Sequence, residues 1–271
     1  MAKIIQMKNI KQTTLKEIEH LFLDYRRSMG VSENTFLQNE TNLKLFLSWC
    51  EENDYQYIEE LSPFVMSKYI AFLYQRSNLK TDRKLSISTI GAHIKVLRIL
   101  SKFLKRRSFL MEDIMEDILP PPPPHRIIET FTDEQIKLIF KNTDQKKYKI
   151  LFYLLLTTGL RISEALSLKP ENFHFDRRLI RIIGKGNKQR EVPFSLDLQR
   201  YIKEYIAEMK KQHGEYIWES RKEGKLSTAA VRNELYRIQR KVGNETGLDR
   251  IQVRPHIFRH TFAKKWIMAG G

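Results

Sequence analysis

Leu15, Ile18, Leu21, Phe22 and Tyr25 alternate with polar residues at three- and four-residue spacing, the period that gathers side chains on one face of an α-helix. Thr14 followed by Glu17 sets a capping box ahead of them, so a helix is predicted to open at Leu15. A second helix is predicted from about Ser32 to Glu51, with Phe36, Leu43, Phe46 and Leu47 on one side and Cys50 packed as a core thiol. Ser62-Pro63 reads as an N-cap with Pro at the first helical position, and Val65, Met66, Tyr69, Ile70 and Leu73 follow as the buried face of a third. Ser86 starts a fourth, with Ile87, Ile90, Ile94, Leu97, Ser101 and Leu104 on one stripe and Lys95, Arg98, Lys102, Lys105 and Arg106 opposite. Four helices with short loops predict a small bundle.

Five consecutive prolines, Pro120 to Pro124, then interrupt the pattern. Proline lacks the amide donor and disfavours helix in the residue before it, so this run is expected to be an extended, stiff spacer between two folded halves. Beyond it, Thr132 to Gln135 forms another capping box, ahead of a helix through Ile136, Leu138, Ile139 and Phe140. The apolar run Ile150 to Leu156 predicts a buried helix ending at Gly159. Short β segments are predicted at 173–175, 179–183 and 189–194, the last two joined by a Gly- and Asn-bearing turn over 184–188. Helices return at about 195–211, 227–243 and 256–268. The fold class is therefore mainly α with a small antiparallel sheet.

Composition narrows the function classes. Among 271 residues, 48 Lys and Arg face 32 Asp and Glu, a net charge of +16 that favours a polyanionic partner over an acidic small molecule. Hydrophobic residues at 41% supply enough apolar surface for packed cores, which excludes a basic disordered tail. No apolar run reaches the length of a membrane span or a secretory signal, so a soluble intracellular protein with no membrane partner is expected. One cysteine excludes an internal disulfide and a thiolate zinc cluster, and no metal or cofactor is expected.

Three stretches carry candidate chemistry: Thr158-Gly-Leu-Arg-Ile-Ser-Glu164, Gly184-Lys-Gly-Asn-Lys-Gln-Arg-Glu-Val-Pro193 and His256-Ile-Phe-Arg-His-Thr-Phe-Ala263. Cleaving a phosphodiester needs cations for the charge that gathers on the non-bridging oxygens and a proton for the departing alkoxide. Arg161 and Arg259 suit the first task, because a planar guanidinium matches phosphate geometry and stays charged. His256 lies one helical turn before Arg259, so the two share a face.

In this order and at these separations the three stretches resemble the catalytic domain of the tyrosine recombinases, the phage integrase family, from about Thr132 to Gly271. The first half resembles that family's helical, SAM-like core-binding domain. The resemblance implies a core-binding domain over 1–118, a proline-rich linker over 119–129 and a catalytic domain over 130–271. It implies Lys185 as general acid to the leaving 5′ oxygen, His256 as an aid to proton removal from the nucleophile, and Glu164 as the residue that orients the site. It implies site-specific strand exchange through a 3′-phosphotyrosyl intermediate without metal or ATP, on a double-stranded DNA recombination site gripped between the two domains, within a self-associated tetrameric synapse. The expected place of action is a bacterial cytoplasm, at the nucleoid.

Departures matter as well. The family's nucleophilic tyrosine follows the His-x-x-Arg box, whereas the last of eleven tyrosines here is Tyr236. Tyr153 and Tyr236 are read as packing residues, so this chain is expected to bind DNA without cutting it and to self-associate weakly. The alternative is a naturally non-catalytic DNA-binding or architectural protein that keeps the recombinase grip. Candidate DNA contacts are Asn34, Gln38 and Asn42 on the second helix and Lys95, Arg98 and Lys102 on the fourth. In the second half they are Lys188, Arg190, Ser227, Thr228, Arg232 and Arg237.

Overall fold

The computed structural model describes residues 13–77, 82–122, 127–184, 189–209, 215–220, 224–246 and 253–270, with side chains of 243–246 excepted. Contacts divide the chain into two compact units, Met1–Arg126 and Ile127–Gly271.

The first unit is built on α1 (Leu15–Ser28), α2 (Glu33–Glu52), α3 (Pro63–Gln75) and α4 (Ile87–Arg106). Thr14 and Glu17 close the expected capping box, the Ser62 hydroxyl accepts from the Val65 amide, and Ser86 caps α4 in the same way. Helix α4 packs against both α2 and α3, while α1 packs on α2. The core is aromatic at its centre: Phe46 meets Tyr69 edge-on at 5.0 Å and Phe22 meets Phe103 at 5.7 Å, arrangements that add to simple area burial. Cys50 is fully buried there. Leu21 and Ile87, expected on buried faces, are exposed. Leu21 lies at the margin of the α1 stripe, and Ile87 is the first residue of α4, where no preceding turn covers it.

Two candidate DNA contacts in this unit lie against protein. Asn42 is buried at 8% exposure, whereas Asn34 and Gln38 are exposed. Eight residues along an α-helix turn the side-chain direction by roughly 80°, which carries Asn42 to the side of Leu43 and Phe46. Arg98 is half-buried, with its Nη1 donating to the Ile118 carbonyl at 2.8 Å. The segment after α4 folds back over it, fixed by the Ser101 hydroxyl on the Asp113 carboxylate and by the Met115 amide on the same oxygen at 3.0 Å. Lys95 and Lys102 are exposed as expected.

The second unit contains α5 (Asp133–Lys141), α6 (Lys146–Thr158), α7 (Ile162–Leu166), β1 (Phe173–His174), β2 (Leu179–Ile183), β3 (Gln189–Pro193), α8 (Leu196–Met209), α9 (Thr228–Thr246) and α10 (Pro255–Met268). The strands form one antiparallel sheet in the order β1-β2-β3, with Ile183 opposite Gln189 and Ile182 opposite Arg190. Helix α6 is the centre, packed against α7, α8 and α10. Phe152 of α6 stacks on Phe258 of α10 at 5.2 Å, and Phe131 meets Phe258 edge-on at 4.9 Å. Thr261 of α10 accepts from the Phe131 amide at 2.9 Å and so ties the start of the unit to its last helix. Among the described residues no helix is long and apolar enough to cross a membrane.

Candidate active site

Helix α6 is apolar nearly all round, and it stops because Gly159 adopts a left-handed conformation at φ 61°, which an L side chain disfavours. Leu160 is buried behind the turn at 1% exposure, and Arg161 becomes the N-cap of α7 in extended conformation, its side chain 54% exposed. Arg161 and Glu164 are three positions apart, a spacing that would put them on one face of a continuous helix. They are instead the two ends of a capping arrangement, in which the Glu164 carboxylate accepts from the Arg161 backbone amide at 2.8 Å.

Helix α10 brings the second arginine to the same turn. Arg259 is half-buried, and its Nη1 donates to the carbonyl of Gly159. One glycine thus anchors Arg259 and, two residues on, directs Arg161. Both arginines line a cavity of about 370 Å³ together with Thr158, Arg190, Val192, Phe262 and Ala263. A neighbouring cavity of about 520 Å³ also reaches Arg161 and is lined by Ser163, Glu164, Arg181, Ile183 and Gly184. Lys185 and Lys188 lie outside the described residues.

His256 stands exposed on the first turn of α10. Partial burial, then the adjoining His260, Arg259, Arg161 and Arg254, push its imidazole below the ordinary histidine range. Both effects disfavour a further positive charge, so the ring is neutral at pH 7 and able to accept a proton. Arg161, Arg259 and His256 are therefore electrostatically one cluster, although almost a hundred residues separate the first from the others.

Glu164 has 7% side-chain exposure and is held by two arginines. Arg190 grips it through two parallel bonds of 3.0 and 2.8 Å, and Arg161 Nη1 adds a third side-chain bond at 3.2 Å. Burial alone would raise this carboxyl, but the bonds from Arg190 and Arg161 outweigh it and hold the group at about 2. Arg190, read from the sequence as a DNA contact, is bound to Glu164.

The α9 candidates divide. Ser227 is exposed and its hydroxyl accepts from the Ala230 amide at 3.1 Å, Thr228 is half-buried, and Arg232 is exposed. Arg237 is already engaged by Glu234 at 2.8 Å, by Asp144 at 3.2 Å and by the Asn142 carbonyl at 3.0 Å. Tyr236, read as a packing residue, is 42% exposed and lines a shallow cavity with Asn233, Arg237, Arg240 and Lys241. Arg240 belongs to the same exposed helical face, since the spacing of 233, 236, 237 and 240 lies opposite the buried Val231, Leu235 and Ile238. Tyr153 is half-buried between Phe140 and Tyr201.

Comparison with known proteins gives a consistent answer. The Phage integrase family matches residues 129–271. The tyrosine recombinase XerD of Corynebacterium glutamicum is 26% identical over 255 residues, covering 89% of this chain and 81% of that protein. A tyrosine recombinase of Pseudothermotoga lettingae is 29% identical over 260 residues, covering 94% of this chain and 86% of its own. In fold, the chain is similar to the Tn1549 transposon integrase in complex with circular intermediate DNA, with a TM-score of 0.73 at 16% identity over 95% of this chain and 88% of that one. The family match spans more than half of the sequence and contains both arginines and His256, and the chain belongs to the phage integrase family, the tyrosine recombinases.

Proposed function

We propose that this protein is a site-specific recombinase acting on double-stranded DNA, with Arg161 and Arg259 holding the two non-bridging oxygens of one phosphodiester. The observation that carries the reading is the shared anchor: Gly159 accepts a hydrogen bond from Arg259, and Arg161 lies two residues beyond it on the rim of the same cavity. Two forked cations aimed at one small cavity suit a single phosphate, whose charge grows as the leaving oxygen departs. His256, neutral at pH 7, accepts the proton of the attacking hydroxyl, and Glu164 orients Arg161. Lys185 supplies the proton to the 5′ oxygen, a role that rests on the family resemblance.

The attacking hydroxyl in this reading is a tyrosine, and the exchange proceeds through a 3′-phosphotyrosyl link within a tetrameric synapse, without metal or ATP. In the second unit Tyr148 stacks on Phe152, Tyr153 and Tyr201 pack together, Tyr205 stacks on Trp218, Tyr216 lies under Lys169 and Tyr236 stands on α9. None of these is among the residues lining the arginine cavity. Exposed Asn34, Gln38, Lys95, Lys102, Ser227 and Arg232 serve as DNA contacts.

Selection from a random duplex library tests this reading. The chain should enrich a defined site and lose affinity with salt at a slope near −0.9 per neutralised phosphate. Arg161→Ala and Arg259→Ala should each weaken that binding. Absence of enrichment, or full affinity in both variants, would defeat the proposal.

A further inference from the structure

Glu164 sits between two guanidiniums. Arg190 Nη1 and Nη2 donate to its two oxygens at 3.0 and 2.8 Å, while the Arg161 amide and Arg161 Nη1 take the remaining positions at 2.8 and 3.2 Å. At 7% exposure this carboxylate has little access to water, so its charge must be met by protein. We infer that Arg190 is a positioning residue: by filling Glu164 with a two-pronged grip, it leaves the Arg161 guanidinium free to hold phosphate.

The geometry supports a division of labour. The parallel two-bond contact is the strong arginine–carboxylate form, and Arg190 has it; Arg161 has one longer side-chain bond and keeps its other N–H donors. Without Arg190, the one guanidinium still bonded to the buried carboxylate among the described residues is that of Arg161, and the carboxylate becomes a competitor of the phosphate for it. Arg190 sits on β3 opposite Ile182, a rigid position from which to hold Glu164. Because Arg190 also lines the arginine cavity, direct phosphate contact is the rival account, and the two predict different couplings.

The inference rests on the phosphate-holding role of Arg161, and the test separates the two. Inorganic phosphate is titrated into the 271-residue chain, and its affinity is read from the NMR signals of the His256 ring and the arginine Nε–H groups. Arg190→Met should weaken phosphate binding about tenfold, while in a Glu164→Gln background, where no carboxylate competes, the same change should cost less than about twofold. Arg190→Lys keeps the charge but not the fork; it should fall between them and be rescued in the same way, and it serves where the methionine variant does not fold. An equal loss in both backgrounds would overturn the positioning role. Unchanged phosphate affinity in Arg161→Met would instead overturn the reading of Arg161 on which it stands.

Discussion

Replacing Gly159 by alanine perturbs the point on which both arginines depend. A Cβ built there falls 2.3 and 2.8 Å from two ring carbons of Phe262, inside any real carbon contact, and the backbone φ of +61° is one that L residues disfavour. The left-handed conformation alone is worth about 1–2 kcal/mol against alanine. Forcing a half-buried ring aside adds about 1–2 kcal/mol, the lower range for overpacking, because Phe262 borders cavities into which it can shift. Gly159→Ala should thus destabilise the second unit by about 2–4 kcal/mol, a fall of about 5–12 °C in its melting transition by calorimetry. Phe262→Ala should relieve the clash but not the backbone strain, so the pair should show a coupling of about 1–2 kcal/mol. A Gly159→Ala chain that melts within about 1 °C of the parent, with no coupling to Phe262, would refute both the left-handed turn and the packing of α10 against it.

Other outcomes follow from the same structure. Phosphate bound between Arg161 and Arg259 should raise the His256 pKa, and Arg161→Met should raise it in the free chain, since a positive neighbour is removed; NMR titration that shows either moving down contradicts the cluster. Glu164, held at about 2 against an ordinary 4.5, contributes stability that is complete above pH 4.5 and is lost as pH falls through 2. Glu164→Gln should therefore be less stable than the parent near pH 7, by no more than about 3 kcal/mol, with the two denaturation curves converging at acid pH. Burial, aided by Glu60, raises the Cys50 thiol to about 12, so a thiol reagent at pH 8 should label it only on unfolding. Rapid labelling of the native chain would place Cys50 outside the core.

Local chemistry made much of the fold legible. Thr14 with Glu17, Ser62-Pro63 and Thr132 with Gln135 announce helix starts within four residues, and each closes the contact its spacing implies. The end of α6 was legible too, since Gly159 alone tolerates that turn. What the sequence did not show was mostly non-local. Arg98 reads as a surface cation until the 108–122 segment folds back and offers it the Ile118 carbonyl. Arg190 looks like a free DNA-facing charge because its partner Glu164 lies 26 positions away, whereas Arg237 pairs locally with Glu234 three positions before it and gains the distant Asn142 carbonyl only in the fold. Asn42 failed for a simpler reason, the drift of a four-residue repeat around a 3.6-residue helix. The site divides the same way: residue types and order mark Arg161, His256 and Arg259, but only the fold shows that Glu164 and Arg190 bind each other.

The central claim, that Arg161, Arg259 and His256 meet one phosphate, is tested most directly by titrating the labelled chain with a short duplex carrying its selected site. The NMR signals of the two guanidiniums and the imidazole should shift together with one midpoint, and a single neutral methylphosphonate in place of one backbone phosphate should abolish all three shifts. Three independent midpoints, or shifts that survive neutralisation of every phosphate in turn, would contradict it.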